Sequence, residues 1–393
     1  MTPSARAQAA IELLDQIIDA ARGGGAAADN LITRYFKERR YAGSGDRRAV
    51  RELVYRAIRR AGEVPVSGRA ALAGLASDDE ALAALFDGSP HGPAVLAEDE
   101  AMASAALFPA WLEPLLDPAI AEVERPAMLE RAPLDLRVNR LRGTREDALV
   151  LLPEAVPTPH SPIGVRLPEG FRVDQHEAWQ SGLVEVQDEG SQLLAFACAA
   201  KAGELALDLC AGAGGKTLAL AAEMANEGSL IAADTDRGRL SRMPPRLTRA
   251  GVSIVTPRLL NPGQEREALA DLAGACDLVL IDAPCSGSGT WRRNPETRWR
   301  LTPERLNRLV ALQASLLDIG AELLKPGGRL VYAVCSLLAR EGREQAAAFT
   351  ARSALEAQPV AMDAGREAGT GRVISPAPDG TDGFFVACWS APC

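Results

Sequence analysis

Histidine is scarce in this sequence, and cysteines spaced as a pair are missing. Its 393 residues hold three histidines and seven cysteines, an odd number with no Cys-x-x-Cys spacing. That disfavours a disulfide framework and a zinc site, so no metal is expected. No apolar run approaches the ~18 residues of a membrane helix, and no membrane partner is expected. The N-terminus lacks the shape of a signal peptide, and Glu12, Asp15 and Asp19 argue against a transit peptide. A cytoplasmic protein fits these absences.

What is present is enough chain for two or three domains, 47% apolar, with one informative stretch from Leu205 to Leu220. Leu205, Leu207 and Leu209 alternate as a strand. The run Cys210-Ala211-Gly212-Ala213-Gly214-Gly215-Lys216 then turns into a helix-forming segment. A phosphate-binding P-loop needs Gly six places before its Lys, and Cys210 stands there. A dinucleotide fingerprint needs Gly three after Gly214, and Thr217 stands there. An acid, Asp208, followed by small residues suits S-adenosylmethionine, which offers a ribose and an amino acid but no phosphates. A tight structural turn is the plain alternative. The next strand, Ser229 to Ala233, ends at Asp234, twenty residues past Gly214, where the acid that receives a ribose is expected. Asp236 could serve instead.

The segment Cys276 to Gly289 places a buried strand before Asp282, Pro284 and Cys285. A further strand, Arg329 to Val334, ends in Cys335 and Ser336. Two thiols thus lie at the C-terminal ends of two strands, the edge at which open α/β sheets bind ligands. Cys198, Cys210, Cys276 and Cys388 read as small buried hydrophobes.

These residues resemble the RsmB/Sun (NOP2-like) family of RNA 5-methylcytosine methyltransferases. The matching pieces are Leu136 to Asn139, Val186 to Gln192, the Asp208 to Thr217 loop, Asp282 to Gly287, Arg292 to Pro295, Tyr332 to Ser336 and Asp382 to Phe385. They follow the family's order over about the last 260 residues. The sequence departs at Ala213, where the family has Pro, and at Leu260-Asn261, where it has Gly-Asp; Asn261 is the substitute for that acid on the adenine side. The resemblance implies an α/β, Rossmann-like class I methyltransferase domain with a mostly parallel seven-stranded sheet (176–393). Before it come an all-α NusB-like domain (1–125) and a small α/β linker module (126–175). It also implies S-adenosylmethionine held by residues 210–216, Asp234, Asn261 and Asp282, and an RNA substrate, small-subunit rRNA ahead of tRNA, handled by a monomer.

The implied chemistry explains the residue types. Cytosine C5 is a poor nucleophile until a thiolate adds to C6. By the resemblance, Cys335 is that thiolate, Cys285 assists loss of the C5 proton and release, and Asp282 holds the N3/amino edge of a base taken out of its stack. Some DNA cytosine methyltransferases use the Cys of a Pro-Cys motif, so the opposite assignment, with Cys285 as nucleophile, stays open. A binding factor that keeps the fold without catalysis is the rival of another class.

A net charge of −9 is awkward for an RNA partner, but phosphate contacts are local. Arg34 to Arg60 carries a local +7, and Arg292 to Arg308 a local +4. Tyr35, Phe36, Tyr41, Tyr55, Trp291 and Trp299 interleave them. RNA contact is expected at Arg47, Arg48, Arg292 and Arg293, and in the linker module at Arg137 and Asn139, where a structural turn is equally open. Arg237 to Arg249 holds five Arg and no acid, and reads evenly as RNA surface or solvated helix. The first 125 residues read as helices at 4–22, 26–40, 46–61, 70–85 and 99–106.

Overall fold

The computed structural model describes residues 1–393. The chain groups into two compact units. One holds Met1–Leu116, Arg125–Glu130 and Thr290–Pro303; the other holds Asp117–Glu124, Arg131–Gly289 and Glu304–Cys393.

In the first unit, helix α1 (Pro3–Gly23) starts where the Thr2 hydroxyl accepts the Ala5 N–H, and stops at Gly24, whose φ of 71° breaks the helix. It buries Ile11, Leu14, Ile17, Ile18 and Ala21 against α2 (Ala28–Glu38), α3 (Ser44–Arg60) and α4 (Gly68–Ala76). Residues 99–106 are not helical. They run extended, Ala103 donating to the Ala70 carbonyl and Ala106 to that of Arg60, with a bridge between Ala61 and Ala105. Those bonds to existing helices replace the internal bonds of a helix too short to stand alone.

Thr290–Pro303 belongs to this unit because its large side chains are core, not surface. Trp299 joins the helical core and donates its indole N–H to the Ala61 carbonyl. The buried Arg298 guanidinium bonds the carbonyls of Ile58, Arg59 and Ala61, capping the C-terminal end of α3.

The second unit contains a small antiparallel sheet with its own apolar core. Its strands are β1 (Leu134–Val138), β2 (Val156–Pro157), β3 (Gly164–Leu167) and β4 (Val184–Val186), in the order β2-β3-β1-β4. The large sheet follows: β5 (Leu205–Leu209), β6 (Ser229–Asp234), β7 (Val255–Leu259), β8 (Cys276–Asp282), β9 (Leu324–Val334), β10 (Glu356–Gln358), β11 (Arg366–Ala368), β12 (Gly371–Ile374) and β13 (Phe384–Ser390). Its order is β11-β12-β13-β9-β8-β5-β6-β7, with β10 also on β13. The Rossmann-like class is as expected, with nine strands instead of seven. Strands β7, β6, β5, β8 and β9 run parallel; β10 to β13 pair antiparallel. The additional strands, β10 and β11, are three-residue pieces of a stretch whose Gly and Pro signal only turns. No helix is long and apolar enough to cross a membrane.

Candidate active site

The sheet register brings the two thiols together. Asp282 ends β8 opposite Ala333 of β9. Cys285 lies three residues beyond Asp282, and Cys335 two beyond Ala333, so both emerge at the same edge. Their sulfurs are 3.3 Å apart. The Cys285 thiol is pushed well up, first by its hydrogen bond with Cys335, then by burial and by the charges of Cys335 and Glu341.

Asp282 faces the glycine loop. Lys216 Nζ donates to its Oδ2 at 2.7 Å. Burial alone would lower the Lys216 pKa, but the charge and hydrogen bond of Asp282, with Cys335 and Asp208, hold it above its ordinary 10.5. Lys216 is therefore already paired, unlike a phosphate-seeking P-loop lysine.

The loop's shape is set by the neighbouring strand. Cys210 and Ala211 both donate to the Ala233 carbonyl at 2.9 Å, and Gly212 donates to Asp234 Oδ2 at 2.7 Å. Cys210 takes a φ of 77°, in the left-handed region where a side chain is strained. Gly214 takes 84°, and a Cβ there would come within 2.8 Å of Met243. A Cβ on Gly215 would meet nothing closer than 3.9 Å, so a ligand has room above the loop. Beneath it, buried Asp208 accepts the Thr217 hydroxyl at 2.6 Å on one oxygen, while the other has no partner. Burial pushes the Asp208 pKa to about 7, against the Thr217 bond and helped by Asp282. A carboxylate at the β6 end, an open glycine cradle and a loop lysine already paired with Asp282 fit S-adenosylmethionine. Asn261 is exposed just past β7, its amide on Gln264 at 3.3 Å.

Glu341 is the residue sequence reasoning missed. It is fully buried and collects the Ser286 N–H (2.8 Å), the Ser336 hydroxyl (2.6 Å), the Gln313 amide (3.0 Å) and the Ser286 hydroxyl. Its only sequence signal is an acid directly after Leu337-Leu338-Ala339-Arg340.

The expected RNA residues divide. Arg47 and Arg48 are exposed on α3, and Arg293 is half-buried. Arg137 and Asn139, each 2% exposed, are corrected to internal clamps. Arg137 donates to Gln187 Oε1 at 2.6 Å and to the Gly215 carbonyl at 2.8 Å; the Asn139 amide donates to the Gly182 and Ala250 carbonyls. Arg292 is likewise interior, at 6% exposure. Tyr35, Phe36, Trp291 and Trp299 are core side chains and cannot stack on bases, whereas Tyr41 is 74% exposed. In the Arg237–Arg249 run, Arg246 and Arg249 pair with Glu185. Asp188 caps the helix Glu189–Ala197 through the Gly190 N–H at 2.8 Å.

Residues 195–390 match the family described as 16S rRNA methyltransferase RsmB/F. The chain is 35% identical over 288 residues to ribosomal RNA small subunit methyltransferase B of Pectobacterium atrosepticum, covering 72% of this chain and 66% of that protein. Among solved structures, PH0851 superposes over 99% of both chains with a TM-score of 0.77 at 24% identity. A methyltransferase homolog protein from Pyrococcus horikoshii aligns with 68% of this chain and 89% of its own, at a TM-score of 0.60 and 29% identity.

Proposed function

The chain belongs to the RsmB/Sun family, and from that membership we propose that it is an S-adenosylmethionine-dependent RNA cytosine-5 methyltransferase acting on small-subunit rRNA. The observation that carries the reading is the pair of sulfurs 3.3 Å apart beside Asp282, at the edge where the glycine loop opens. The rRNA preference rests on the description of the matching family and on the name of the relative.

Charge supports Cys335 as the nucleophile. Lys216 acts electrostatically on Cys335, while the Glu341 carboxylate bears on Cys285. The anion disfavours a thiolate at Cys285, which leaves Cys335 the better attacking sulfur. The Cys335 sulfur bonds cytosine C6, and the ring electron pair moves to C5. S-adenosylmethionine, when bound by residues 210–216, Asp234, Asn261 and Asp282, supplies an electrophilic methyl group for C5. The C5 proton is lost to solvent with the assistance of Cys285, its electron pair re-forms the C5–C6 double bond, and the C6–S bond breaks and returns the thiolate to Cys335. Asp282, steadied by Lys216, accepts a hydrogen bond from the amino edge of the base. Arg47, Arg48 and Arg293 contact phosphates.

The test is transfer of a labelled methyl group to small-subunit rRNA, with the product nucleoside identified. Label in 5-methylcytosine supports the proposal. Label only in tRNA moves the substrate, and cofactor binding with no transfer to any RNA points to a binding factor.

A further inference from the structure

Glu341 makes no contact with the glycine loop, yet it is tied to both thiol-bearing segments. Gln313 Nε2 bridges the Pro284 carbonyl (2.9 Å) and Glu341 Oε1 (3.0 Å), and the Ser286 N–H reaches the same oxygen at 2.8 Å. Cys285 is therefore held from both flanking residues. On the other strand, the Ser336 hydroxyl donates to Oε2 at 2.6 Å, fixing the residue after Cys335. Ser288 extends the network, its hydroxyl 3.1 Å from that of Ser336 and accepting the Leu337 N–H at 2.8 Å. The Tyr332 hydroxyl anchors the Glu341 main chain at 2.7 Å. Four donors converge on one buried carboxyl group, a donor set that suits the ionised form.

We propose that Glu341 is a positioning residue for the thiol pair: it pins the Cys285 and Cys335 segments together through Ser286 and Ser336, and its negative charge keeps the shared proton on Cys285. The proposal rests on the methyltransferase reading, because it assigns the two sulfurs unequal roles. The other groups facing the pair are Lys216 from the glycine-loop side, Asp282 from the end of β8 and Tyr332 from β9. Lys216 attracts negative charge towards Cys335, and Asp282 offsets part of that attraction. Tyr332, held well above its ordinary pKa by burial, stays neutral. Glu341 is then the charge that separates the two thiols from the Cys285 side. A fold staple alone would not bias the proton between them.

The test is site-resolved alkylation of the intact protein by iodoacetamide across a pH series, read by mass spectrometry, for wild type, Glu341→Gln and Glu341→Asp. Removing the charge in Glu341→Gln is expected to raise the Cys285-to-Cys335 labelling ratio near neutral pH about tenfold, the equivalent of one pKa unit. An unchanged ratio in a folded Glu341→Gln protein overturns the proposal. Glu341→Asp keeps the charge but shortens the reach, so the ratio stays as in wild type while kcat for methyl transfer falls at least ~10-fold at unchanged KM. If Glu341→Gln does not fold, Glu341→Asp decides alone, and an unchanged kcat overturns the positioning role. The labelling ratio needs no RNA, so it reads on Glu341 even if the substrate assignment fails.

Discussion

Replacing Lys216 with Met tests the electrostatics of the thiolate. The variant keeps the length of the stem but removes the cation bonded to Asp282 at 2.7 Å. Asp282 is left about a third exposed, its side chain at 31%, so the stability loss is expected at the low end for a broken ion pair, ~1–3 kcal/mol. The second effect falls on Cys335, which lies within the field of Lys216. Removing that charge withdraws on the order of 1–2 kcal/mol of attraction for negative charge at the sulfur, at an effective dielectric of ~20 and with Asp282 opposing it. Methyl transfer should therefore slow ~10-fold, because the attacking sulfur loses its neighbouring cation. Single-turnover methyl transfer and the rate of Cys335 alkylation at fixed pH measure the loss. A Lys216→Met protein that folds, loses activity and keeps the wild-type Cys335 alkylation rate would refute the reasoning and leave Lys216 only a contact to Asp282.

Three further outcomes follow from other parts of the structure. Asp208 has a folded pKa of about 7, above its unfolded value of 3.8, so its contribution is fully present below pH ~4 and is lost as pH rises through 7. Asp208→Asn should flatten that part of the stability–pH curve, with a gain of up to ~4 kcal/mol above pH 7 in denaturant titrations; an unchanged slope contradicts the assignment. At Gly289 a Cβ would come within 1.9 Å of the Gly383 carbonyl oxygen, while Gly383 N–H donates to the Gly289 carbonyl at 2.8 Å. Gly289→Ala should therefore lower stability by ~2–4 kcal/mol and activity with it, read by thermal unfolding. Reversing exposed Arg47 and Arg48 to Glu should weaken RNA binding and reduce the salt slope by about 2, and unchanged binding would remove α3 from the interface.

The parts of the fold that could be read from the sequence were those written in local pattern. Leu205 to Gly215 makes strand, loop and helix as expected, and Ser229 to Asp234 is the strand that follows. The two thiols were legible because each stands at the end of an apolar strand. That they lie 3.3 Å apart depends on β8 pairing with β9, which spacing alone does not specify. A charge run misled for a related reason. A run reports composition, and burial is decided by tertiary contact. Arg292, expected at phosphates from its run, is interior at 6% exposure, and Arg137 and Asn139, placed against RNA by the resemblance, bond backbone carbonyls inside the fold. Glu341 was invisible because its four donors come from segments up to 55 residues away.

Covalent trapping tests the central claim most directly. RNA incubated with Cys285→Ala and S-adenosylmethionine should stay attached through denaturation, because the Cys335 adduct forms but is not released, and Cys285→Ala/Cys335→Ala should retain none. Retention by Cys335→Ala, with none by Cys285→Ala, would reverse the roles of the two thiols and contradict the account.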